Sequence, residues 1–213
     1  MKLLLTATII VVQISYQSYG QSNFNLFVKD FPILELPIES IEKNHSDDTL
    51  HIDLANKVLV TDQEVPYYIK DNKRVEVDDY YGQIMKGHSS YKMAGSGKLV
   101  NFSTKAYPIG RVDLSNNYIT LIVKVVALES TFYDIYNFTK GGELKSFLPL
   151  YLGYRDVPHE EVSFLMIESD VSKEGAIQWH ENIDGRKTKR TYVLNDEGYF
   201  EITSEAISGE SEF

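Results

Sequence analysis

The chain has 213 residues, no cysteine and a formal net charge of −10, from 21 basic and 31 acidic residues. Without cysteine it can form neither a disulfide framework nor a thiolate metal site, and it has no cysteine nucleophile. An acidic surface repels nucleic acid and anionic lipid, so we expect no nucleic-acid partner.

Residues 1–20 have the pattern of a cleavable secretory signal peptide. Lys2 precedes the apolar run Leu3–Val12, and Ser18-Tyr19-Gly20 supplies small residues for cleavage. The run is much shorter than the ~20 apolar residues that a membrane-spanning helix needs, although a buried N-terminal helix is the alternative. We therefore expect an exported protein of the periplasm or the extracellular space. Because the chain has no cysteine to carry a lipid, we do not expect a lipoprotein, and the mature chain has no predicted transmembrane segment.

The mature chain, residues 21–213, is long enough to bury one core and is predicted to be a single, mainly β domain. Its first part, residues 21–56, is predicted to be irregular and extended, because Pro32 and Pro37 exclude a continuous helix. The apolar stretch Phe31–Ile38 should lie on the core. A core of repeated hairpins is predicted over residues 99–205.

Four local elements are predicted between these two parts. They are a strand over Lys57–Thr61, an extended stretch over Val65–Ile69 followed by a turn, a short helix over Asp79–Lys86 and a polar loop over Gly87–Lys98. The helix is predicted because Asp78 can cap its first turn and Gly87 can end it.

The second half of the chain gives a clearer β pattern. Tyr118–Leu128 and Val162–Ile167 are apolar and β-branched, as in central strands of a sheet. Three segments share one turn pattern, with a small polar residue second and glycine fifth: Phe138–Leu144, Val171–Ile177 and Leu194–Phe200. Glycine there supplies the positive φ that closes a hairpin loop. Leu114–Ile119 is predicted as a fourth hairpin, with asparagine in the glycine role.

These patterns predict a mainly β fold, an antiparallel meander of repeated hairpins with one short helix. The meander could form a sheet, a sandwich or part of a propeller. Trp179 and Ile177 should face the core, while Gln178 and His180 point away. The basic cluster Arg186–Arg190 indicates a solvated edge strand after a turn, with a local anion site as the alternative.

Three stretches resemble a group of uncharacterised exported β-rich proteins of Bacteroidetes-type bacteria. They are Leu36-Pro37-Ile38, Tyr107–Leu114 leading into Asn117–Ile119, and Phe138–Gly142. The resemblance covers roughly residues 24–205. It implies an envelope or secreted location and supplies no activity and no site residues.

The sequence holds one constellation typical of penicillin-recognising enzymes. Ser89-Ser90-Tyr91-Lys92 is followed by Ser115-Asn116-Asn117 and Lys187-Thr188-Lys189, in the order that those enzymes use. The serine lies in a polar loop rather than at the start of a buried helix, and the third motif lacks its glycine. We therefore do not assign a serine nucleophile.

Other candidates for chemistry are also weak. The five histidines, His45, His51, His88, His159 and His180, lack metal-ligand spacing, and His159-Glu160-Glu161 follows Pro158 in a predicted loop. Asp78-Asp79-Tyr80-Tyr81 could place two acids at a sugar, but is more typical of a helix cap. Gly95–Lys98 lacks the spacing of a phosphate loop. Three glycosylation sequons begin at Asn44, Asn101 and Asn137.

The sequence thus assigns no catalytic or metal-ligating residue and no cofactor, and it leaves the ligand-binding residues unidentified. Fifteen tyrosines and ten phenylalanines exceed what one core requires, which leaves room for an exposed aromatic patch that contacts a glycan or a protein. We expect a non-catalytic binding or structural module of the cell envelope. The alternative is a hydrolase of envelope glycans or peptides, with a cleft lined by Asp78, Asp79 or His159.

Overall fold

The computed structural model describes residues 24–50, 67–76, 91–92, 99–100, 105–127, 130–159 and 162–209. The strands within these ranges are β1 (Tyr67–Lys70), β2 (Lys73–Glu76), β3 (Tyr91–Lys92), β4 (Leu99–Val100), β5 (Lys105–Val112), β6 (Tyr118–Ala127), β7 (Ser130–Thr139), β8 (Leu144–His159), β9 (Val162–Val171), β10 (Ile177–Ile183), β11 (Arg186–Leu194) and β12 (Phe200–Ser208). A short helix covers residues 24–28, and a 3₁₀ turn covers Ile41–Lys43.

Ten of the described strands form one sheet in the order β2-β1-β12-β11-β10-β9-β8-β7-β6-β5. Each strand from β5 to β12 pairs antiparallel with the next one along the chain. At the far side β1 joins β12 in parallel, and β3 pairs with β4 outside this sheet. The predicted fold class, a mainly β antiparallel meander, is confirmed. The described strands β2 and β5 lie at the two ends of the order and do not pair with each other, so the sheet is open.

The three glycine-containing turns are confirmed, and they connect β7 to β8, β9 to β10 and β11 to β12. Gly142, Gly175 and Gly198 have φ values of 91°, 81° and 87°. In each turn the small polar residue accepts a backbone N–H through its side chain, as Asn195 Oδ1 does from Tyr199 N at 2.9 Å. The sequence pattern therefore predicts the turn because it supplies the two residues that the turn needs, one with a positive φ and one with a side-chain acceptor.

The fourth predicted hairpin exists between β5 and β6, but its mechanism differs from the prediction. Neither Asn116 nor Asn117 has a positive φ. The Asn117 N–H instead donates to Ser115 Oγ at 3.1 Å. A serine side chain closes this turn, so no residue has to take the role of glycine.

The N-terminal segment covers the sheet. Ile33 forms a bridge with Arg111 on β5, and Ile38 forms a bridge with Val171 on β9. Phe31 and Ile38 are buried, as predicted, although Ile33 is 64% exposed. The helix at 24–28 and the 3₁₀ turn interrupt a segment that the sequence predicts to be extended. The two bridges hold residues 33–38 against the sheet.

Three other local predictions are wrong. β11 is not an edge strand, because it lies between β10 and β12. His159 lies at the end of β8 rather than in a loop, and Tyr91–Lys92 form β3 within the predicted loop 87–98. The predicted strand over 57–61 and the predicted helix over 79–86 lie outside the described residues. Which strands pair with each other depends on the tertiary fold, so it cannot be predicted from local composition.

Trp179 belongs to the core, as predicted. Its side chain is fully buried, and its Nε1–H donates to Pro149 O at 2.9 Å. Ile177 is also buried, while Gln178 and His180 are exposed on the other side of β10. The alternation of a half-buried strand therefore holds along β10.

Candidate functional site

The second and third motifs of the penicillin-enzyme pattern lie apart in the structure. Ser89 lies outside the described residues. Ser115–Asn117 form the β5–β6 turn, next to Tyr118, whose hydroxyl donates to Asp196 O beyond the C-terminal end of β11. Lys187 lies at the opposite end of β11, about 23 Å away along an extended strand. The second and third motifs are therefore at different ends of the sheet.

The described histidines lie on different elements of the fold. His45 and His180 are exposed, the structure describes only the backbone of His159, and His51 and His88 lie outside the described residues. Within the described part of the chain, no group of three histidine or acidic side chains could hold a metal ion.

The basic cluster of β11 divides between two sides of the strand. Lys187 and Lys189 are exposed on one side. Arg190 is on the other side, where its guanidinium lies 5.0 Å from the centroid of the Trp179 ring and its Nε donates to Glu205 Oε1 at 2.8 Å. Arg190 therefore serves packing and does not add to an anion site with the lysines.

A row of aromatic and charged side chains crosses the sheet on one face. We call it the cross-strand row; it consists of Tyr107, Lys124, Tyr133, Tyr151, Glu168, His180 and Lys189. Directly opposite pairs on neighbouring strands join Tyr107 to Lys124, Lys124 to Tyr133 and Tyr133 to Tyr151. Other pairs join Glu168 to His180 and His180 to Lys189. Tyr151 and Glu168 are the residues next to the Leu152–Ile167 pair, so the row continues from β8 to β9.

The side chains in the aromatic half of the row contact one another directly. Lys124 Nζ lies 5.7 Å from the ring centroids of both Tyr107 and Tyr133. The Tyr133 and Tyr151 rings stand at 90°, with their centroids 5.8 Å apart. An ammonium group is attracted to the negative face of an aromatic ring, so Lys124 stabilises the positions of both its neighbours.

The N-terminal segment borders the same rings. The Tyr133 hydroxyl donates to the backbone oxygens of Glu42 at 3.2 Å and Asn44 at 3.3 Å. The segment is fixed nearby, because Ser40 N–H donates to Asp170 Oδ1 at 2.8 Å. Glu42 is thereby held beside the middle of the cross-strand row.

Two carboxylates influence the tyrosines in the middle of the row. Burial raises the pKa of Tyr151, and the negative charges of Glu42 and Glu168 raise it further. Burial also raises the pKa of Tyr133, with Glu42 and Tyr151 as the next causes. Both phenols therefore stay neutral at physiological pH and present a ring and a hydroxyl rather than a phenolate.

The exposure of the row changes along its length. Tyr107, Lys124 and Tyr151 are half-buried, Tyr133 is buried, and Glu168, His180 and Lys189 are exposed. Seven neighbouring strands at a spacing of about 4.8 Å give the row a length of about 29 Å. The two ends of the row differ in chemistry: the β5–β6 end offers ring stacking, the β9–β11 end offers ionic contacts, and the buried Tyr133 lies between them.

The sequence patterns do not predict this row. One signal was present, because Lys124 interrupts the apolar run of β6, where a lysine is unfavourable without a partner. The partners of Lys124 could not be named, since they lie on β5 and β7 and meet it only through strand register.

No helix in the described ranges combines the length and the apolar character that crossing a bilayer requires. Comparison with known proteins gave no match to a family model, to a curated protein or to a solved structure.

Proposed function

We propose that the protein is an exported, non-catalytic binding module of the cell envelope, and that the cross-strand row is the surface that holds its ligand. The observation that carries this proposal is the alignment of Tyr107, Lys124 and Tyr151 on one face of adjacent or near-adjacent strands. Hydrogen-bonded strands hold these side chains at fixed spacing, which limits the entropy lost on binding.

The chemistry of the row supports binding. Half-buried tyrosines offer an apolar ring and a polar hydroxyl, and such residues are enriched where proteins contact ligands. Lys124 can donate hydrogen bonds beside these rings, while Glu168 can accept them. The row thus offers groups for stacking and for hydrogen bonding on the two sides of the buried Tyr133.

The hydrolase alternative rests on different residues. Asp78 and Asp79 lie outside the described residues, and only the backbone of His159 is described. The alternative stays a prediction, and the contacts of the cross-strand row favour the binding module.

A binding experiment tests the proposal. The full chain, recovered from the periplasm of a bacterial host, is applied to arrays of envelope oligosaccharides and of synthetic peptides. We expect a set of ligands whose signal falls at least about tenfold in a Tyr107→Ala/Tyr151→Ala variant, because hot-spot side chains each contribute more than about 1 kcal/mol. Mass spectrometry should recover the bound ligands intact.

The control is Lys173→Ala, a change at an exposed lysine of the β9–β10 turn, away from the row. It should keep the wild-type binding pattern. Signals that survive in the double variant would place the ligand elsewhere, and cleaved ligands would favour the hydrolase.

Export is tested separately. Sequencing of the N-terminus of the periplasmic protein should begin at Gln21, because cleavage is expected after Gly20. An unprocessed protein that stays in the cytoplasm would contradict the export proposal.

A further inference from the structure

The C-terminal half of β12 has an open edge. All residues of Thr203–Ser208 are exposed, whereas the residues before them on the strand are buried or half-buried. β1 pairs with β12 through Ile69 and Glu201 and ends at Lys70, so it lies only beside the first half of β12. No strand in the described part of the chain pairs with Thr203–Ser208 on the side away from β11.

The turn between β10 and β11 shows which backbone groups of β11 point to β12. Asp184 and Gly185 both have a positive φ, as in a two-residue hairpin turn, so Ile183 and Arg186 form a hydrogen-bonded pair. Hydrogen-bonded and non-hydrogen-bonded pairs alternate along antiparallel strands. The backbone groups that point to β12 therefore belong to every second residue after Arg186, namely Lys187, Lys189 and Thr191.

The same alternation determines the direction of the backbone groups of β12. The three β11 residues stand opposite Ser208, Ala206 and Ser204, whose N–H and C=O groups therefore point to β11. The residues between them, Glu205 and Ile207, direct their N–H and C=O groups to the open edge. These donors and acceptors are a template for a further strand.

The side chains of this edge do not prevent strand pairing. Proteins commonly protect an exposed edge with charged side chains or proline. Thr203–Ser208 contains no proline, and its single charged residue is Glu205. The Glu205 carboxylate is paired with Lys70 and Arg190, so its charge is balanced within the chain. Ile207 is 53% exposed and offers an apolar side chain that a partner strand can cover.

We propose that the protein forms a homodimer in which Thr203–Ser208 pairs antiparallel with the same segment of a second copy. The two-fold axis passes through Ala206, so Glu205 of each copy stands opposite Ile207 of the other. Each of these two pairs exchanges both of its N–H···O=C bonds. Every outward backbone group of Glu205 and Ile207 thereby gains a partner.

The sequence of the edge favours this register. A register centred on Glu205 would set two carboxylates directly opposite each other, which destabilises a strand pair. A register centred on Ile207 would pair Glu205 with Gly209, whose φ of 96° ends the extended strand. The register centred on Ala206 uses only residues of β12 and avoids both problems. Because the edge is self-complementary in this register, a second copy supplies the matching strand, as in other two-fold dimers.

Sedimentation velocity of the full chain, recovered from the periplasm of a bacterial host, tests the dimer. We expect the average mass to rise from that of one chain toward that of two between about 1 and 500 µM, as for a small interface. Ile207→Pro removes an outward N–H and leaves the hydrogen bonds to β11 in place. This variant should associate at least about tenfold more weakly and keep the wild-type fluorescence of Trp179.

The variants Ala206→Glu and Ala206→Lys test the position of the axis, because a residue on the axis faces its own copy. Either variant alone sets like charges opposite each other and should associate at least about tenfold more weakly than wild type. An equal mixture of the two should recover association, because opposite charges then face each other. Thr49→Glu adds the same charge as Ala206→Glu at an exposed position away from β12, and it should dimerise as wild type does.

A chain that stays monomeric up to about 500 µM overturns this inference. So does a dimer that Ile207→Pro leaves intact, or a mixture of the two Ala206 variants that associates no better than either alone. Pairing of the edge with a strand of a different protein, by a chain that does not associate with itself, also overturns it. The proposed binding function does not depend on β12, so each of the two proposals can fail without the other.

Discussion

The guanidinium of Arg190 on β11 lies over the ring of Trp179 on β10, 5.0 Å from the ring centroid. The contact joins two strands that are consecutive in the chain and neighbours in the sheet. The same guanidinium donates to Glu205 on β12, which also pairs with Lys70 on β1. One carboxylate therefore connects the parallel strand β1 to the antiparallel meander. Because Trp179 is the single tryptophan of the chain, its fluorescence reports on this connection directly.

The first prediction concerns the contact itself. Arg190→Met keeps a long apolar side chain and removes the charge, so it should lower the free energy of unfolding by about 1–2 kcal/mol. The emission of Trp179 should change as well. Arg186→Met, at an exposed position of the same strand, should stay within about 0.5 kcal/mol of wild type and leave the emission unchanged. Urea unfolding followed by fluorescence measures both effects, and equal behaviour of the two variants would contradict the prediction.

The second prediction concerns pH. Hydrogen bonds from Lys70 and Arg190 lower the pKa of Glu205 below its ordinary value of 4.5. A lowered pKa in the folded state adds stability above the unfolded pKa, and this stability is lost as the pH falls through the folded pKa. Glu205→Gln should therefore cost about 1 kcal/mol at neutral pH, a value typical of two surface ion pairs.

The difference between wild type and Glu205→Gln should shrink toward zero as the pH falls well below 4.5, and it should also shrink in high salt. Unfolding curves at several pH values measure this difference. Glu197→Gln, in the exposed β11–β12 turn, is the matched control. A difference that stays constant with pH would show that Glu205 acts through packing rather than charge.

The third prediction compares two turn glycines with the same strain. Gly185 and Gly198 have φ values of 92° and 87°, so alanine is strained at both, by about 1–2 kcal/mol. A Cβ atom on Gly185 would meet nothing within 4 Å, whereas one on Gly198 would lie 2.6 Å from Tyr118 Cε1. Gly198→Ala should therefore destabilise the fold by about 1–3 kcal/mol more than Gly185→Ala does. Chemical denaturation tests the order of the two variants, and the reverse order would mean that Tyr118 moves aside freely.

The turns also show how much of the fold is predictable from sequence. Gly142, Gly175 and Gly198, each with a small polar residue three positions earlier, define hairpins through local conformation alone. Local conformation is encoded by neighbouring residues, so the strand-turn-strand units and the fold class could be predicted. Trp179 could be placed in the core because side chains alternate along β10.

The cross-strand row could not be predicted, for a physical reason. Tyr107, Lys124, Tyr133 and Tyr151 meet only because four strands pair in one register, with a bulge between Tyr133 and Asp134. A slip of one residue in any pair would move the partner side chain to the other face. Register depends on packing of the whole sheet, and Glu42 reaches the row through a bridge between Ile38 and Val171 that no local pattern indicates.

The last prediction concerns a buried polar cluster below the β11–β12 turn. Asn137 is fully buried; its Nδ2 donates to Gly198 O at 2.7 Å, and its Oδ1 accepts from Thr120 at 2.9 Å. The folded chain therefore cannot present the sequon at Asn137 for glycosylation. Asn137→Asp replaces the donor with a carboxylate oxygen facing a carbonyl, so it should destabilise the fold by about 3 kcal/mol or more at neutral pH.

The loss should become smaller as the pH falls, because a protonated aspartate can again donate to Gly198 O. Asn116→Asp, at an exposed position of the β5–β6 turn, makes the same chemical change without burial and should stay within about 0.5 kcal/mol of wild type. Urea unfolding of both variants at neutral and acidic pH measures the two effects. A pH-independent loss in Asn137→Asp would mean that altered packing, rather than the buried charge, causes the destabilisation.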